Sequence, residues 1–254
     1  MQRDTFIGTA VIFIVLASIV LYVATRPAPV KAPGAGEVTA LPEGSYVEHA
    51  SYYDIVANYA TSTPLTGSAN ASAIAIMKNF ISDTITQFKA DGNFANLTAA
   101  DIEAIGFDQG RKEKLQIVYL IASSARTVSY IFTIYEDTLG AHGNTFFHTF
   151  TFDTKTGAPL ALNDIFSPEA SYLETLSLIS RAKLPSIIGE DSTNPGMIRD
   201  GTTPEEKNFE NFFFDNRELA ILFPPYAVAP YTAGPQTLRI PLSELSNSLK
   251  SEYR

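Results

Sequence analysis

The sequence predicts an α+β fold in which helices pack on an antiparallel sheet, preceded by one N-terminal transmembrane helix. Three observations support this: a long uncharged apolar run at the N-terminus, segments whose apolar residues alternate, and segments whose apolar residues recur every three or four positions. Alternation is typical of strands with one buried face, and the longer spacing is typical of amphipathic helices. Strand, helix, strands, helix and strands follow one another, and this order favours α+β.

The anchor is predicted over residues 1–25. No charged residue lies between Thr5 and Thr25. As a helix this segment spans about 32 Å, enough to cross the hydrocarbon core of a bilayer. A cleaved signal peptide is the alternative, but its apolar run is usually shorter, and no clear Ala-x-Ala site follows this one. Residues 26–44 are rich in proline and glycine, which predicts an extended spacer between the membrane and a folded region that begins near Ser45.

The first half of the folded region is predicted to combine two helices with consecutive strands. Apolar residues recur at helical spacing over Ile74–Phe88, and Asp91-Gly92-Asn93 ends this helix. Thr98 and Asp101 have the spacing of a capping box, which predicts a short helix that ends at Gly106. Strands are predicted at residues 53–60, 115–121, 128–134, 145–153 and 159–162.

The second half is predicted to hold one long helix, three strands and a terminal helix. Ser167-Pro168-Glu169 predicts a helix start and Pro185 its end. Residues 190–204 are rich in Gly, Pro, Asp and Thr, which favours a loop, with Thr203–Glu206 able to open a short helix. Strands are predicted at residues 208–214, 218–223 and 236–240, and the terminal helix at residues 243–250.

Composition excludes several classes of chemistry. The chain has no cysteine, which excludes disulfides, Cys-ligated zinc and a thiol nucleophile. Its formal charge of −9 repels phosphate backbones, so nucleic acid is not an expected partner, whereas a basic protein is attracted. The sequence contains no HExxH, GxSxG or Walker A motif and no GxGxxG after a predicted strand, and no cofactor is expected.

Histidines and tyrosines leave two questions open. His142 and His148, with Asp137 or Asp153, are the residues from which a metal site would have to be built. The simpler interpretation makes both histidines structural, with hydrogen bonds to their surroundings. Tyr226 and Tyr231 lie in a proline-rich loop over residues 224–235. That loop either presents rigid aromatic surface to a partner or tucks both rings into the core.

Two segments resemble known domains of bacterial envelope proteins. LGAHGNTFFHTFTFDTKTGAPLALNDIF and FPPYAVAPYTAGPQTLRIPLSEL resemble the paired domains of unknown function 4163 and 3298. The resemblance implies a first domain over residues 45–157 and a second over residues 158–254. Such pairs occur in a lysozyme-sensing anti-sigma factor and before the catalytic domain of certain peptidoglycan deacetylases.

The resemblance implies a binding module of the cell envelope. No sigma-binding segment precedes the apolar run and no catalytic domain follows Arg254, so the expectation is a sensor or accessory module alone. The expected partners are the membrane, through residues 5–25, and either a lysozyme-like protein or peptidoglycan. The expected ligand-binding residues are His142, Asn144, Tyr226 and Tyr231.

The expected location is a single-pass membrane protein with its C-terminal region outside the cytoplasm. This orientation rests on the resemblance, on the anchor's place at the N-terminus and on the lack of cysteine. The rival hypothesis is an envelope polysaccharide hydrolase or deacetylase-like enzyme that uses His142, His148 and a nearby acid at a metal site.

Overall fold

Ten strands in two sheets, with five helices, form the part of the chain that the computed structural model describes, residues 37–40 and 44–254. The strands are β1 (Glu37–Ala40), β2 (Ser45–His49), β3 (Tyr53–Asn58), β4 (Glu113–Ser123), β5 (Thr127–Asp137), β6 (Asn144–Asp153), β7 (Pro159–Leu160), β8 (Phe212–Asp215), β9 (Glu218–Phe223) and β10 (Gln236–Pro241). The helices are α1 (Gly67–Gly92), α2 (Ala99–Ile105), α3 (Leu162–Ile165), α4 (Tyr172–Ile188) and α5 (Pro195–Gly201).

The larger sheet contains β1 to β7 in sequence order. β4, β5, β6 and β7 pair antiparallel, as predicted, and so do β2 and β3. β3 and β4 are parallel, however, with Tyr53 opposite Glu113, so the predicted antiparallel sheet is confirmed only in part. The reason is α1. This helix carries the chain across one face of the sheet and returns it to the end at which β3 began, so that β4 can run parallel to β3.

Helix α1 covers one face of the larger sheet. Its buried residues are Ala73, Met77, Ile81, Ile85 and Phe88. The last four belong to the apolar pattern that predicted the helix. They pack on side chains such as Ile117 and Phe132, which point to the same face of β4 and β5. The predicted capping box of α2 is also confirmed, since Thr98 and Asp101 exchange both hydrogen bonds and Gly106 ends the helix at φ +84°.

The smaller sheet, ordered β10-β9-β8, packs on the other face of the larger one. Ile131 of β5 contacts Phe213 and Ala220 between the sheets, and Thr151 Oγ1 donates to Phe212 O at 3.3 Å. Helix α4 covers the outer face of the smaller sheet, where Leu176 lies in the same core as β9 and β10. The resulting layers are α1, the larger sheet, the smaller sheet and α4.

The predicted boundaries of α4 are wrong at both ends. Ser171 is its N-cap residue, four positions after the predicted start, because the Ser167 N–H donates instead to Ser248 O at 2.8 Å and ties that segment to the C-terminal stretch. Pro185 lies inside the helix, which continues to Ile188. Packing of Leu184, which is fully buried, outweighs the backbone hydrogen bond that Pro185 cannot form.

Two further predictions for the second half are wrong. Residues 190–204 contain α5, where Asn194 caps the helix and Pro195 occupies its first turn. The predicted terminal helix is replaced by short 3-10 turns at Leu242–Leu245 and Ser251–Tyr253. Between them Leu249 forms an isolated bridge with Phe166, so pairing with a distant segment displaces helical structure here.

The predicted transmembrane helix over residues 5–25 lies outside the described residues, as does most of the predicted spacer. Strand β1 falls within the spacer range. None of the described helices combines the length and apolar character needed to span a bilayer. The described residues from Val38 to Arg254 form one compact unit, and the predicted domain boundary at Gly157 stays a prediction.

Candidate functional site

Two loops that are far apart in sequence meet at one end of the sheets. The histidine loop (residues 138–143) joins β5 to β6, and the tyrosine loop (residues 224–235) joins β9 to β10. The rings of His142 and Tyr231 stack with centroids 3.9 Å apart, and Tyr226 Oη lies 3.3 Å from His142 Nε2. We call these three side chains, His142, Tyr226 and Tyr231, the aromatic patch.

Hydrogen bonds to one backbone carbonyl hold the patch together. Gly143 O accepts from Tyr231 Oη at 2.9 Å and lies 3.1 Å from His142 Nδ1. With Nδ1 as the donor of a neutral ring, His142 Nε2 is the acceptor for the Tyr226 hydroxyl, so the hydrogen-bond partners assign the tautomer. All three rings are therefore oriented by specific contacts.

Tyr226 has the most unusual backbone of the patch. Its φ is +71°, a left-handed conformation that costs a bulky L-residue about 1–3 kcal/mol. Its side chain is nevertheless 55% exposed, so burial does not repay that cost. Backbone strain at an exposed aromatic residue is typical of binding sites. The Ala227 N–H donates to Pro224 O at 3.1 Å and fixes the turn that presents the ring.

The structure brings together three of the four predicted site residues. Asn144, the fourth, is the exposed first residue of β6 and adjoins the patch through Gly143. Of the two interpretations left open for the tyrosine loop, Tyr226 agrees with an exposed surface, while Tyr231 is partly buried beneath it. Whether these four residues bind a ligand stays a prediction.

Tyr135 is a further member of the site that the sequence analysis missed. A Cβ added to Gly143 would lie 2.3 Å from the Tyr135 hydroxyl. The Tyr135 ring therefore packs directly on Gly143, whose carbonyl holds the patch together. Burial raises the pKa of Tyr135, and the nearby charge of Asp137 raises it further. The alternation along β5 was the available signal, since Tyr135 points to the face opposite Tyr130 and Phe132.

Carboxylates surround the base of the histidine loop. Asp137 Oδ1 accepts from the Leu139 N–H at 3.0 Å and anchors the start of the loop. Burial raises the pKa of Glu113, and the charges of Asp137 and Glu136 raise it further. These acids lie at the same end of β4 and β5 as the patch, with Leu115 opposite Glu136 in the register. Basic residues lie there as well, since Arg111 donates to Leu139 O at 3.3 Å and Lys114 lies opposite Asp137.

His148 is separated from His142 by its packing partners. Its ring stacks on Phe80 with centroids 4.4 Å apart, on the face that α1 covers, and burial lowers its pKa. Asp153 lies at the far end of β6, where it binds Arg126. Within residues 37–40 and 44–254, no three His, Asp or Glu side chains are grouped closely enough to hold a metal ion.

The fold and the patch together define an α+β protein of two stacked sheets whose exposed aromatic site is built from loops of both. Comparison with protein families identifies one segment of this chain. Residues 163–243 match the model of the family described as "Protein of unknown function (DUF3298)", a segment that contains the smaller sheet and the tyrosine loop. The predicted resemblance to that domain is confirmed, and its pairing with domain 4163 stays a prediction.

Two relatives extend the comparison beyond this segment. The chain is 33% identical over 147 residues to peptidoglycan-N-acetylmuramic acid deacetylase PdaC from Bacillus subtilis, covering 56% of this chain but only 31% of that protein. A crystal structure of a DUF3298 family member from Bacteroides fragilis matches with a TM-score of 0.58 and 18% identity. That match covers 87% of this chain and 96% of the other, so both halves of the fold recur there.

Proposed function

We propose that this chain is a non-enzymatic binding module of the cell envelope, tethered to the membrane, that binds peptidoglycan at the aromatic patch. One observation carries the proposal: the histidine and tyrosine loops meet and hold a strained, exposed Tyr226 in a fixed orientation. A surface of rigid rings with oriented hydroxyl and imidazole groups binds ligands at little cost in conformational entropy.

Peptidoglycan is the first candidate ligand. The deacetylase to which 56% of this chain is similar acts, by its name, on the N-acetylmuramic acid of peptidoglycan. Sugar rings have an apolar face that packs on aromatic rings and hydroxyls that hydrogen-bond to tyrosine and histidine. The patch offers both kinds of contact, because Tyr226 is exposed and its hydroxyl already lies at hydrogen-bond distance from His142.

A lysozyme-like basic protein is the second candidate ligand. The net charge of −9 favours it, since a basic partner is attracted to an acidic chain and tyrosines are frequent at the centre of protein interfaces. Salt separates the two candidates. Raised ionic strength weakens binding to a basic protein, whereas it should not weaken binding to peptidoglycan fragments, whose carboxylates are not attracted to an acidic chain.

Replacing Tyr226 with asparagine tests the patch. Asparagine adopts the left-handed conformation more readily than tyrosine, so the free energy of unfolding should stay within about 1 kcal/mol of wild type. Binding should weaken at least about tenfold, since truncating a central interface aromatic typically costs about 2 kcal/mol. Calorimetric titration of the purified 254-residue chain with soluble peptidoglycan fragments, and separately with lysozyme, measures the effect.

Leu178→Asn supplies the matched control, because Leu178 is 68% exposed on α4 and belongs to neither loop. It should leave both affinities unchanged. Equal affinities for the wild type and Tyr226→Asn would remove the patch from the proposal. If neither peptidoglycan fragments nor lysozyme bound the wild-type chain, the proposed function itself would be wrong.

A further inference from the structure

A cavity of about 510 Å³ opens at the end of the sheets opposite the aromatic patch. Its walls come from the β4–β5 turn, the β8–β9 turn and the C-terminal segment. The Asn216 N–H donates to Ser123 O at 2.9 Å and joins the first two of these walls. The patch, by contrast, is built on the loops that leave the other ends of β5 and β9, so the two places are independent.

Positive charge gathers around this cavity although the chain as a whole carries −9. Arg126, Arg217 and Arg254 line it, together with the acid Glu252. Asp153 lies behind Arg126 and binds its Nε at 2.7 Å. Both acids offset part of the charge of the three arginines, which favours a ligand of low negative charge over a doubly charged phosphate.

The remaining walls combine apolar and polar groups. Phe214 and Tyr253, which are both almost fully buried, belong to the lining. Ser243, Ser246 and Asn216 contribute hydroxyl and amide groups. Small-molecule sites typically combine an apolar lining with a few polar groups in a volume of about 300–1,000 Å³. Such a mixture suits a small ring-shaped ligand that carries several hydroxyl groups.

We propose that this cavity binds a small molecule with one carboxylate on a polar ring, as in a sugar acid. Of the three arginines, Arg217 is the one most available to bind the carboxylate of the ligand. It is an exposed residue of the β8–β9 turn and forms no ion pair with any other residue in the described ranges. Its planar guanidinium can donate two parallel hydrogen bonds to a carboxylate. Ser243 and Ser246 are placed to bind the hydroxyls.

The test uses two sugars that differ by a carboxylate. N-acetylmuramic acid is N-acetylglucosamine with a lactyl ether, so calorimetric titration of the 254-residue chain with each isolates the contribution of the charge. N-acetylmuramic acid should bind at least about tenfold more tightly than N-acetylglucosamine. Arg217→Gln should weaken its binding about tenfold, the usual effect of losing a charge-assisted hydrogen bond.

Arg199→Gln is the matched control, since Arg199 is 67% exposed on α5 and does not line the cavity. It should leave the affinity unchanged. Equal binding of the two sugars, an unchanged affinity in Arg217→Gln, or tighter binding of inorganic phosphate than of N-acetylmuramic acid would each overturn the proposal.

Discussion

Replacing Asp153 with asparagine is expected to lower the free energy of unfolding at pH 7 by about 3 kcal/mol, a typical cost of breaking a buried ion pair from one side. Asp153 is 1% exposed, and it accepts from Arg126 Nε at 2.7 Å and from Tyr253 Oη at 3.1 Å. It also accepts from the N–H groups of Lys155 and Thr156, both at 2.8 Å. One carboxylate therefore joins β6, the β4–β5 turn and the C-terminal segment, and an amide cannot satisfy all four donors.

The pH dependence of stability identifies this carboxylate separately. Burial alone would raise the pKa of Asp153, but the hydrogen bonds from Thr156, Arg126, Lys155 and Tyr253 outweigh it and lower the pKa to about 2. The unfolded chain has an ordinary pKa near 3.8, so the stabilisation is fully present above about pH 4. It is lost as the pH falls from about 4 to about 2, and amounts to about 2 kcal/mol.

Urea unfolding at a series of pH values measures both effects. Asp200→Asn is the control, because Asp200 is 69% exposed in its ion pair with Arg199 and should change stability by less than about 0.5 kcal/mol. The loss of stability between pH 4 and pH 2 should be smaller in Asp153→Asn than in the wild type. Similar losses in the two asparagine variants at pH 7 would show that Asp153 does not hold the segments together.

Gly201→Ala is expected to disturb the site without changing any residue of the aromatic patch. A Cβ at Gly201 would lie 1.9 Å from Ala227 O, which is backbone and cannot move aside as a flexible side chain would. Because Ala227 follows Tyr226 directly, the tyrosine loop must shift. We expect a loss of about 2 kcal/mol in the free energy of unfolding and at least about tenfold weaker binding at the patch.

Gly140→Ala is the matched substitution for this experiment. Gly140 lies in the histidine loop, nothing lies within 4 Å of a Cβ placed there, and its φ is not in the left-handed region. It should leave both stability and binding near wild type. If Gly201→Ala bound peptidoglycan fragments or lysozyme as tightly as Gly140→Ala, helix α5 would have no part in positioning Tyr226.

Local patterns predicted β3 to β7 and helices α1 and α2, because each of these elements carries a regular apolar spacing or a cap, whereas β1 and β2 were not predicted. The spacing of Met77, Ile81 and Ile85 predicted α1, and Thr98 with Asp101 predicted the start of α2. Predictions were wrong where distant segments compete for the same backbone groups. The Ser167 N–H bonds Ser248 O, and Leu249 pairs with Phe166, neither of which leaves a local signal.

The candidate site was predicted as residues but not as a geometry. The motifs drew attention to His142, Tyr226 and Tyr231, yet their contact depends on how the two sheets stack, which no spacing in the sequence encodes. Tyr135 was missed although its position on β5 marks the face it occupies. The arginine-lined cavity was not predicted, because Arg126 and Arg217 come from separate turns.

A double-mutant cycle on peptidoglycan-fragment affinity tests most directly whether the two loops form one binding surface. The cycle compares the wild type, His142→Ala, Tyr226→Asn and the double variant by calorimetry. Because the two side chains are in contact, their effects on binding should be non-additive, with a coupling of at least about 0.5 kcal/mol. Additive losses within about 0.3 kcal/mol, or a wild-type chain that binds no peptidoglycan fragment, would contradict the account.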